Sequence, residues 1–378
     1  MSDIHPDLAG GRLTINLGAL VRNWQKLAVL AKPAECGAVV KANAYGCGIE
    51  PVVKALWAAG CRTFFVAVAS EGQRVKAVAP DATCYVLNGA YESALAHLNK
   101  AGLLPVLGSL PEIENWAALA AKLGRALPCA LQMDTGMNRL GLTLAELERT
   151  VSHADLMGVL DVQLFITHYA CADDIDHPQT IAQRERFLQA SALLPGVRRS
   201  AANSAADLQA AGHQFELARP GIALYGGEAL NDVENPMEVV VTLEARIIQI
   251  RTAGPGDAVG YGATETITRP SRLAYVSVGY ADGYHRAASH MGVPMRAVAP
   301  PVEAAFKGQK IKGVGRISMD MCCFDVTDIP EHDIAAGDWI ELFGPTIPVD
   351  DAARAAGTIG YEMLTALGQR YSRTYVGA

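Results

Sequence analysis

The residues with the most chemistry in this chain are scattered along it, but they recur at the ends of short apolar runs. Lys41 closes Ala38-Val-Val and is followed by Ala-Asn-Ala-Tyr45-Gly46-Cys47-Gly48. Asp134-Thr-Gly-Met-Asn-Arg139 follows Pro128–Met133, and Thr167-His168-Tyr169 follows Val162–Ile166. Asn203-Ser204 follows Arg198–Ala202, and Arg219-Pro-Gly221-Ile222 follows Phe215–Ala218. Singly, each has a plain explanation. A lysine at a strand end is usually a solvated charge, a lone histidine more often packs than catalyses, and Asn-Ser or Arg-Pro-Gly is common turn chemistry. Asp134-Thr-Gly136 echoes an aspartic-protease motif, yet the second copy and the all-β pattern such an enzyme needs are missing. Together the residues describe something else. A lysine amine freed by burial or a neighbouring positive charge condenses with an aldehyde. Asn203, Ser204 and the amides of Gly221 and Ile222 suit a phosphate. An amine and a phosphate cradle on one rim fit a phosphorylated aldehyde cofactor, which would act as the electron sink for a carbanion at Cα.

One architecture brings such residues to one rim. Eight short apolar runs, Ala38–Lys41, Thr63–Val68, Thr83–Leu87, Leu104–Leu107, Pro128–Met133, Val162–Ile166, Arg198–Ala202 and Phe215–Ala218, alternate with amphipathic segments such as Pro51–Ala59, Leu110–Leu123 and Pro178–Leu193. The repeat of roughly 25 residues is one strand plus one helix, which predicts an α/β (β/α)8 barrel with its site at the C-terminal strand ends. An open doubly wound sheet is the rival, but neither the first nor the third strand is followed by G-x-G-x-x-G. Gly226–Pro236 is polar and reads as a linker. Beyond it, runs at Val239–Ile250, Leu273–Val278, Lys310–Val314, Met321–Val326 and Asp338–Leu342, separated by Gly and Pro turns, predict a mainly β domain. The expected division is 12–230 for the barrel, with 1–11 and 231–378 in the β domain; the strand Leu13–Leu17 is placed to pair with either.

Composition narrows the function class. With 378 residues, 50% hydrophobic and 19% charged, the chain reads as a two-domain globular enzyme. A net charge of −7 offers no basic face to nucleic acid. No run of about 18 apolar residues suggests a membrane span. The opening Met1–Asp7 lacks the basic and apolar regions of a signal peptide, so a cytoplasmic location is expected. Eight cysteines without a C-x-x-C pair point to buried thiols, with no metal expected.

At Ala38-Val-Val-Lys-Ala-Asn-Ala-Tyr-Gly-Cys-Gly48 the chain resembles the alanine racemase family of fold-type III pyridoxal-phosphate enzymes. The resemblance runs on through Asp134–Gly141, Thr167–Ala170, Ala201–Ala206 and Arg219–Gly226. In the second domain it continues at Gly260–Thr264, Val278–Gly283, Gly315–Asp320 and Thr358–Glu362. It implies pyridoxal 5'-phosphate held covalently by Lys41, which also serves as the base on the D face. Tyr261, from the other subunit of a homodimer with shared sites, is implied as the base on the L face. Arg219 is implied to face the pyridine nitrogen, with His168 packed near the ring and positioning Arg219. Arg139 and the Met319 amide are implied contacts of the substrate carboxylate. Tyr45, Asn203, Ser204, Gly221, Ile222 and Tyr361 match the cofactor-phosphate region, and Tyr280 the entryway. D-alanine for peptidoglycan precursors is the implied product. The chain departs from the family at Gln132, where many members carry a carbamylated lysine. The expectation is that Gln132 accepts a hydrogen bond from Arg139, with an anion such as chloride nearby.

Three readings follow: an alanine racemase; a broad-specificity or serine racemase, or a decarboxylase of the same architecture; and a non-catalytic cofactor carrier. Decarboxylation needs no Tyr261 on the second face, and a bare carrier needs neither Tyr261 nor Met319. The residues therefore favour racemisation of a small amino acid.

Overall fold

The computed structural model describes residues 4–210, 212–289 and 302–377, so the first three residues of the stretch searched for a leader lie outside it. The chain forms two units, one of Leu20–Leu224 with Glu228–Met237, the other of Met1–Ala19, Tyr225–Gly227 and Glu238–Ala378.

The first unit is the barrel. Its strands are Glu35–Cys36 with Ala38–Val39, then Thr63–Val66, Thr83–Val86, Leu104–Leu107, Leu127–Gln132, Leu160–Ile166, Arg198–Ser200 and Leu217–Ala218. Seven form one parallel sheet in sequence order. The last pairs in parallel with Glu35–Cys36. Main-chain bonds complete the ring: the amides of Glu35, Gly37 and Val39 donate to the carbonyls of Glu216, Ala218 and Pro220, and those of Glu216 and Arg219 donate to Arg199 and Ala202. Gly37 interrupts the first strand for a steric reason, since a Cβ there would lie 3.0 Å from the Thr63 carbonyl and 3.4 Å from that of Ala218. Thr63–Val66 is buried throughout, because parallel strands covered by helices lack a wet face. Phe65 stacks on Tyr85, and Phe165 on Phe187 of the helix Pro178–Ser191. One detail differs from the sequence reading. The first strand ends at Val39, and Lys41 opens the following turn.

The second unit is built on Val241–Ala253. Its first half pairs antiparallel with Gly11–Asn16 and Trp339–Phe343. Its second half pairs with Ser271–Val276, with a register shift between Ile247 and Gln249. Cys322–Asp325 extends the sheet beyond Ser271–Val276, Tyr371–Val376 adds in parallel to Gly11–Asn16, and Glu303–Phe306 forms a hairpin with Gln309–Lys312. Two of these strands, Glu303–Phe306 and Tyr371–Val376, were not anticipated. Gly11–Asn16 alternates buried and half-buried residues and hydrogen-bonds on both edges within this unit, so a boundary at residue 12 cuts through a strand.

Candidate active site

Lys41 is followed by an unusual piece of backbone. Ala42, Asn43, Ala44 and Tyr45 all have φ between 52° and 55°, a left-handed turn made without glycine. Such a conformation costs roughly 1–2 kcal/mol per residue, so its surroundings must hold it. The Ala44 and Gly46 amides close it onto the carbonyls of Val40 and Ala42, each at 2.9 Å. The Asn43 amide donates to Glu71 Oε1 at 3.3 Å. Lys41 thus leaves the first strand at one end of the turn, and Tyr45 is buried at the other.

The Tyr45 hydroxyl lies against Gly221, where any Cβ would run into it. Ser204 Oγ accepts from the amides of Gly221 at 2.7 Å and Ala223 at 3.3 Å, which leaves its own proton to donate. Asn203 caps the short helix Ser204–Gln209 by accepting from the Ala206 amide at 3.0 Å. Ile222 is buried at the start of the next turn. A phenol, a serine hydroxyl and close-approach main chain at Gly221 form a cradle that a side chain at 221 would fill, and its donors fit a phosphate monoester.

The amine end is electropositive. Burial lowers the Lys41 pKa first and the Arg139 guanidinium lowers it further, while Glu71 opposes both. His168 is driven down to about 3 by burial, then by Arg219, Arg139 and Lys41, so its ring is neutral. Burial lowers Arg219 to about 10, still charged at neutral pH. These mutual influences bring Lys41, Arg139, His168 and Arg219 into one neighbourhood.

Two expected partnerships are replaced. Arg219 donates to Ser200 Oγ at 2.5 Å and to the carbonyls of Thr167 at 2.7 Å and Ala201 at 3.5 Å. Its anchors are therefore Ser200 and main chain, and no bond to the His168 ring occurs among the described residues. Gln132 Nε2 donates to the Leu140 carbonyl at 3.0 Å. Gln132 steadies the backbone next to Arg139, and no hydrogen bond joins it to the guanidinium among the described residues.

A residue that sequence reading missed ties the rim together from below. Gln183, fully buried, donates to Thr135 Oγ1 at 3.1 Å and the His168 carbonyl at 2.9 Å, and accepts from the Ala170 amide at 2.9 Å. The only sequence signal was a polar residue on the inward face of an amphipathic helix.

The other predicted residues belong to the β unit. Tyr261 sits in a turn opened by Gly260 and is 71% exposed. It borders a cavity of about 330 Å³ with Tyr275, Arg316, Met321 and Cys323. The Tyr280 and Met319 loops are bonded to each other, Tyr280 N to the Ser318 carbonyl and Ala281 N to the Met319 carbonyl, both at 3.0 Å. Arg370, also missed, clasps them. It donates to Asp282 Oδ1 at 2.6 Å and Oδ2 at 2.9 Å, and to Asp320 Oδ1 at 2.8 Å. Tyr361 lies in the first turn of Gly360–Thr365 and is part-exposed.

Residues 15–229 match the family model for the alanine racemase N-terminal domain, and residues 240–375 that for the C-terminal domain. The chain is 47% identical over 368 residues to a biosynthetic alanine racemase of Agrobacterium fabrum, covering 97% of this chain and 94% of that one. It is 45% identical to the alanine racemase of Rhizobium meliloti, with 98% and 97% covered. Among solved structures it is similar to the alanine racemase of Bartonella henselae with covalently bound pyridoxal phosphate, at TM-score 0.90 and 38% identity over 97% of this chain and 100% of that one. The biosynthetic alanine racemase of Pseudomonas aeruginosa matches at TM-score 0.86 and 36% identity, over 98% and 100%.

Proposed function

The chain belongs to the alanine racemase family, and from that premise we propose that Lys41 and Tyr261 exchange the α-proton of alanine from opposite faces. The activity is interconversion of L- and D-alanine with pyridoxal 5'-phosphate. When bound, the cofactor supplies an electron-withdrawing ring that spreads the charge left at Cα.

The protein's own groups do the rest. Lys41, with its lowered proton affinity, holds the cofactor and accepts a proton at Nζ on the D face. Tyr261 Oη takes or returns the proton on the L face. Arg139 and the Met319 amide orient the carboxylate, and Tyr280 narrows the approach. Arg219, still charged beside the neutral His168, presents a guanidinium to the ring nitrogen and gives up no proton. Tyr45, Asn203, Ser204, Gly221, Ile222 and Tyr361 hold the phosphate. An anion such as chloride beside Gln132 would balance Arg139, which has no ion-pair partner among the described residues.

The barrel is read as the cofactor unit and the β unit as the donor of Tyr261 and Met319 to a partner copy's site in a homodimer. Exposed Tyr261, Tyr280, Met319, Met321 and Ile359 on the β unit support that reading, since such side chains mark surfaces that are covered in use. No helix among the described residues is long and apolar enough to cross a membrane. We place the enzyme in the cytoplasm, supplying D-alanine for peptidoglycan precursors. Decarboxylation and simple cofactor carriage are not favoured.

The carrying observation is an amine of lowered proton affinity on the same rim as the Tyr45–Ser204–Gly221 cradle. The test is exchange of the α-hydrogen with solvent deuterium. In Tyr261→Ala, exchange from L-alanine should slow roughly a hundredfold more than exchange from D-alanine. Equal losses from both enantiomers would remove the two-face assignment.

A further inference from the structure

The left-handed turn between Lys41 and Tyr45 raises a question that the chemistry of its end residues leaves open: what keeps four non-glycine residues in a conformation that L side chains avoid? Its own main-chain bonds are local, and the ends of a strained turn drift unless its middle is fixed. The middle residue is Asn43, and it is fixed from three directions. Its amide donates to Glu71 Oε1 at 3.3 Å. Its side-chain Oδ1 accepts from Arg74 Nη2 at 2.7 Å and from the Ile49 amide at 3.1 Å. Both outside partners stand on one helix, Ala69–Val78. Each is itself anchored. Glu71 Oε2 accepts from the Ala67 amide at 2.9 Å, tying it to the end of the second barrel strand. Arg74 is bidentate to Glu50 of the helix Ile49–Ala59, Nε to Oε1 at 2.6 Å and Nη2 to Oε2 at 2.7 Å.

We propose that Glu71 and Arg74 are positioning residues that act through Asn43, locking the turn so that the Lys41 amine and the Tyr45 hydroxyl are held at a fixed separation and address one cofactor. The cofactor has a fixed distance between the carbon that meets the amine and the phosphate that meets the phenol. A turn free to relax would satisfy one end at the expense of the other. Glu71 has a second influence, since its charge also opposes the effect of Arg139 on Lys41. Asn suits the middle position twice over: it tolerates positive φ better than most residues, and it carries the acceptor that Arg74 and Ile49 use.

The inference rests on reading Lys41 as the amine that holds the cofactor, so Lys41→Ala is measured beside the brace variants. Asn43→Gly keeps the backbone conformation accessible and removes the side-chain acceptor; Arg74→Met removes one strut; Asn43→Asp keeps the acceptor; Glu71→Gln removes the charge and keeps an oxygen toward Asn43. Cofactor affinity is read by titrating the stripped protein with pyridoxal phosphate and following visible absorbance, alongside kcat, KM and the thermal midpoint. Asn43→Gly and Arg74→Met should each weaken cofactor binding and lower kcat roughly tenfold or more. KM for alanine and the thermal midpoint should stay near wild type. Asn43→Asp should restore most of the affinity, and Glu71→Gln should move the pH profile of turnover to lower pH with a smaller loss of affinity. Wild-type affinity and kcat in Asn43→Gly and Arg74→Met would overturn the proposal. So would an Asn43→Asp loss equal to that of Asn43→Gly, or losses that merely follow a fall in thermal midpoint. A Lys41→Ala protein that keeps its visible absorbance would instead remove the reading of Lys41 itself.

Discussion

On the barrel rim, packing alters the proton affinity of the working groups. Burial lowers Lys41 and brings Arg219 to about 10, and it drives His168 to about 3 with the charges of Arg219, Arg139 and Lys41 adding to it, so the ring is neutral. In the β unit, Tyr261, Tyr280, Met319 and Tyr361 are between 38% and 71% exposed. At Tyr280 and Met319 it is the main chain that hydrogen bonds hold. The loops of Tyr280 and Met319 are joined by two main-chain bonds and clasped by Arg370 through Asp282 and Asp320, while the two side chains stay exposed. The contrast separates two ways of contributing to a site. A group whose proton affinity must be abnormal needs its own domain to desolvate it. A group that supplies shape or a second face needs only a rigid base, and its surroundings come from whatever surface it meets.

Lys41→Ala tests that contrast most severely. If the rim's tuned amine is the centre of the chemistry, racemisation should fall by roughly a thousandfold or more, and the visible absorbance of the loaded protein should vanish. Retention of colour and of measurable turnover would mean that the electropositive pocket serves some other group, and the contrast would lose its meaning. A smaller and different effect is expected on the other side. Arg370→Lys keeps the charge beside Asp282 but gives up the planar fork that joins Asp282 to Asp320. KM for alanine should rise several-fold while cofactor absorbance and affinity stay unchanged. A change in cofactor affinity without a change in KM would show that the division of labour is drawn in the wrong place.

The parts of this arrangement that were legible in the sequence are those whose signal is local. Eight runs with helices between them located all eight barrel strands; those such as Thr63–Val66 and Leu104–Leu107 read as continuous apolar stretches because helices cover them, whereas Arg198–Ser200 is polar and partly exposed. The rim residues were legible because each directly follows such a run. The strand Glu303–Phe306 was missed because two of its four residues are alanine, and Tyr371–Val376 because serine, arginine and threonine stand consecutively in it and break the apolar pattern. The supports were missed for another reason. Glu71, Gln183, Ser200 and Arg370 act through hydrogen bonds to residues far away in sequence, and nothing in their immediate neighbourhood announces it. Gln132 shows the same limit from the opposite side: its position suggested a bond to the Arg139 side chain, and the carbonyl of Leu140 takes its place.

The barrel's habit of setting proton affinities by burial extends to a residue outside the chemistry, and there its effect on stability can be isolated. Asp207, in the helix Ser204–Gln209, is fully buried, and neither carboxyl oxygen has a hydrogen-bond partner among the described residues. Gln214 Nε2 donates to its main-chain carbonyl at 3.3 Å, and the Cys36 thiol, itself pushed up by burial and then by Asp207, is near. Burial raises Asp207 to about 7, with the Gln214 amide pulling the other way. The unfolded chain releases this proton near 3.8 and the folded chain only near 7. Between those values the folded state binds more protons, so this group makes stability fall as pH rises, and the loss is complete above about 7. Asp207→Asn mimics the protonated acid and removes that slope. The stability of the variant relative to wild type should therefore grow by about 2–3 kcal/mol between pH 5 and pH 8, measured by denaturant unfolding of both proteins at each pH. All other titrating groups are shared, so they cancel in the difference. A difference that stays flat across that range would mean that Asp207 is ionised within the barrel and has found a partner there.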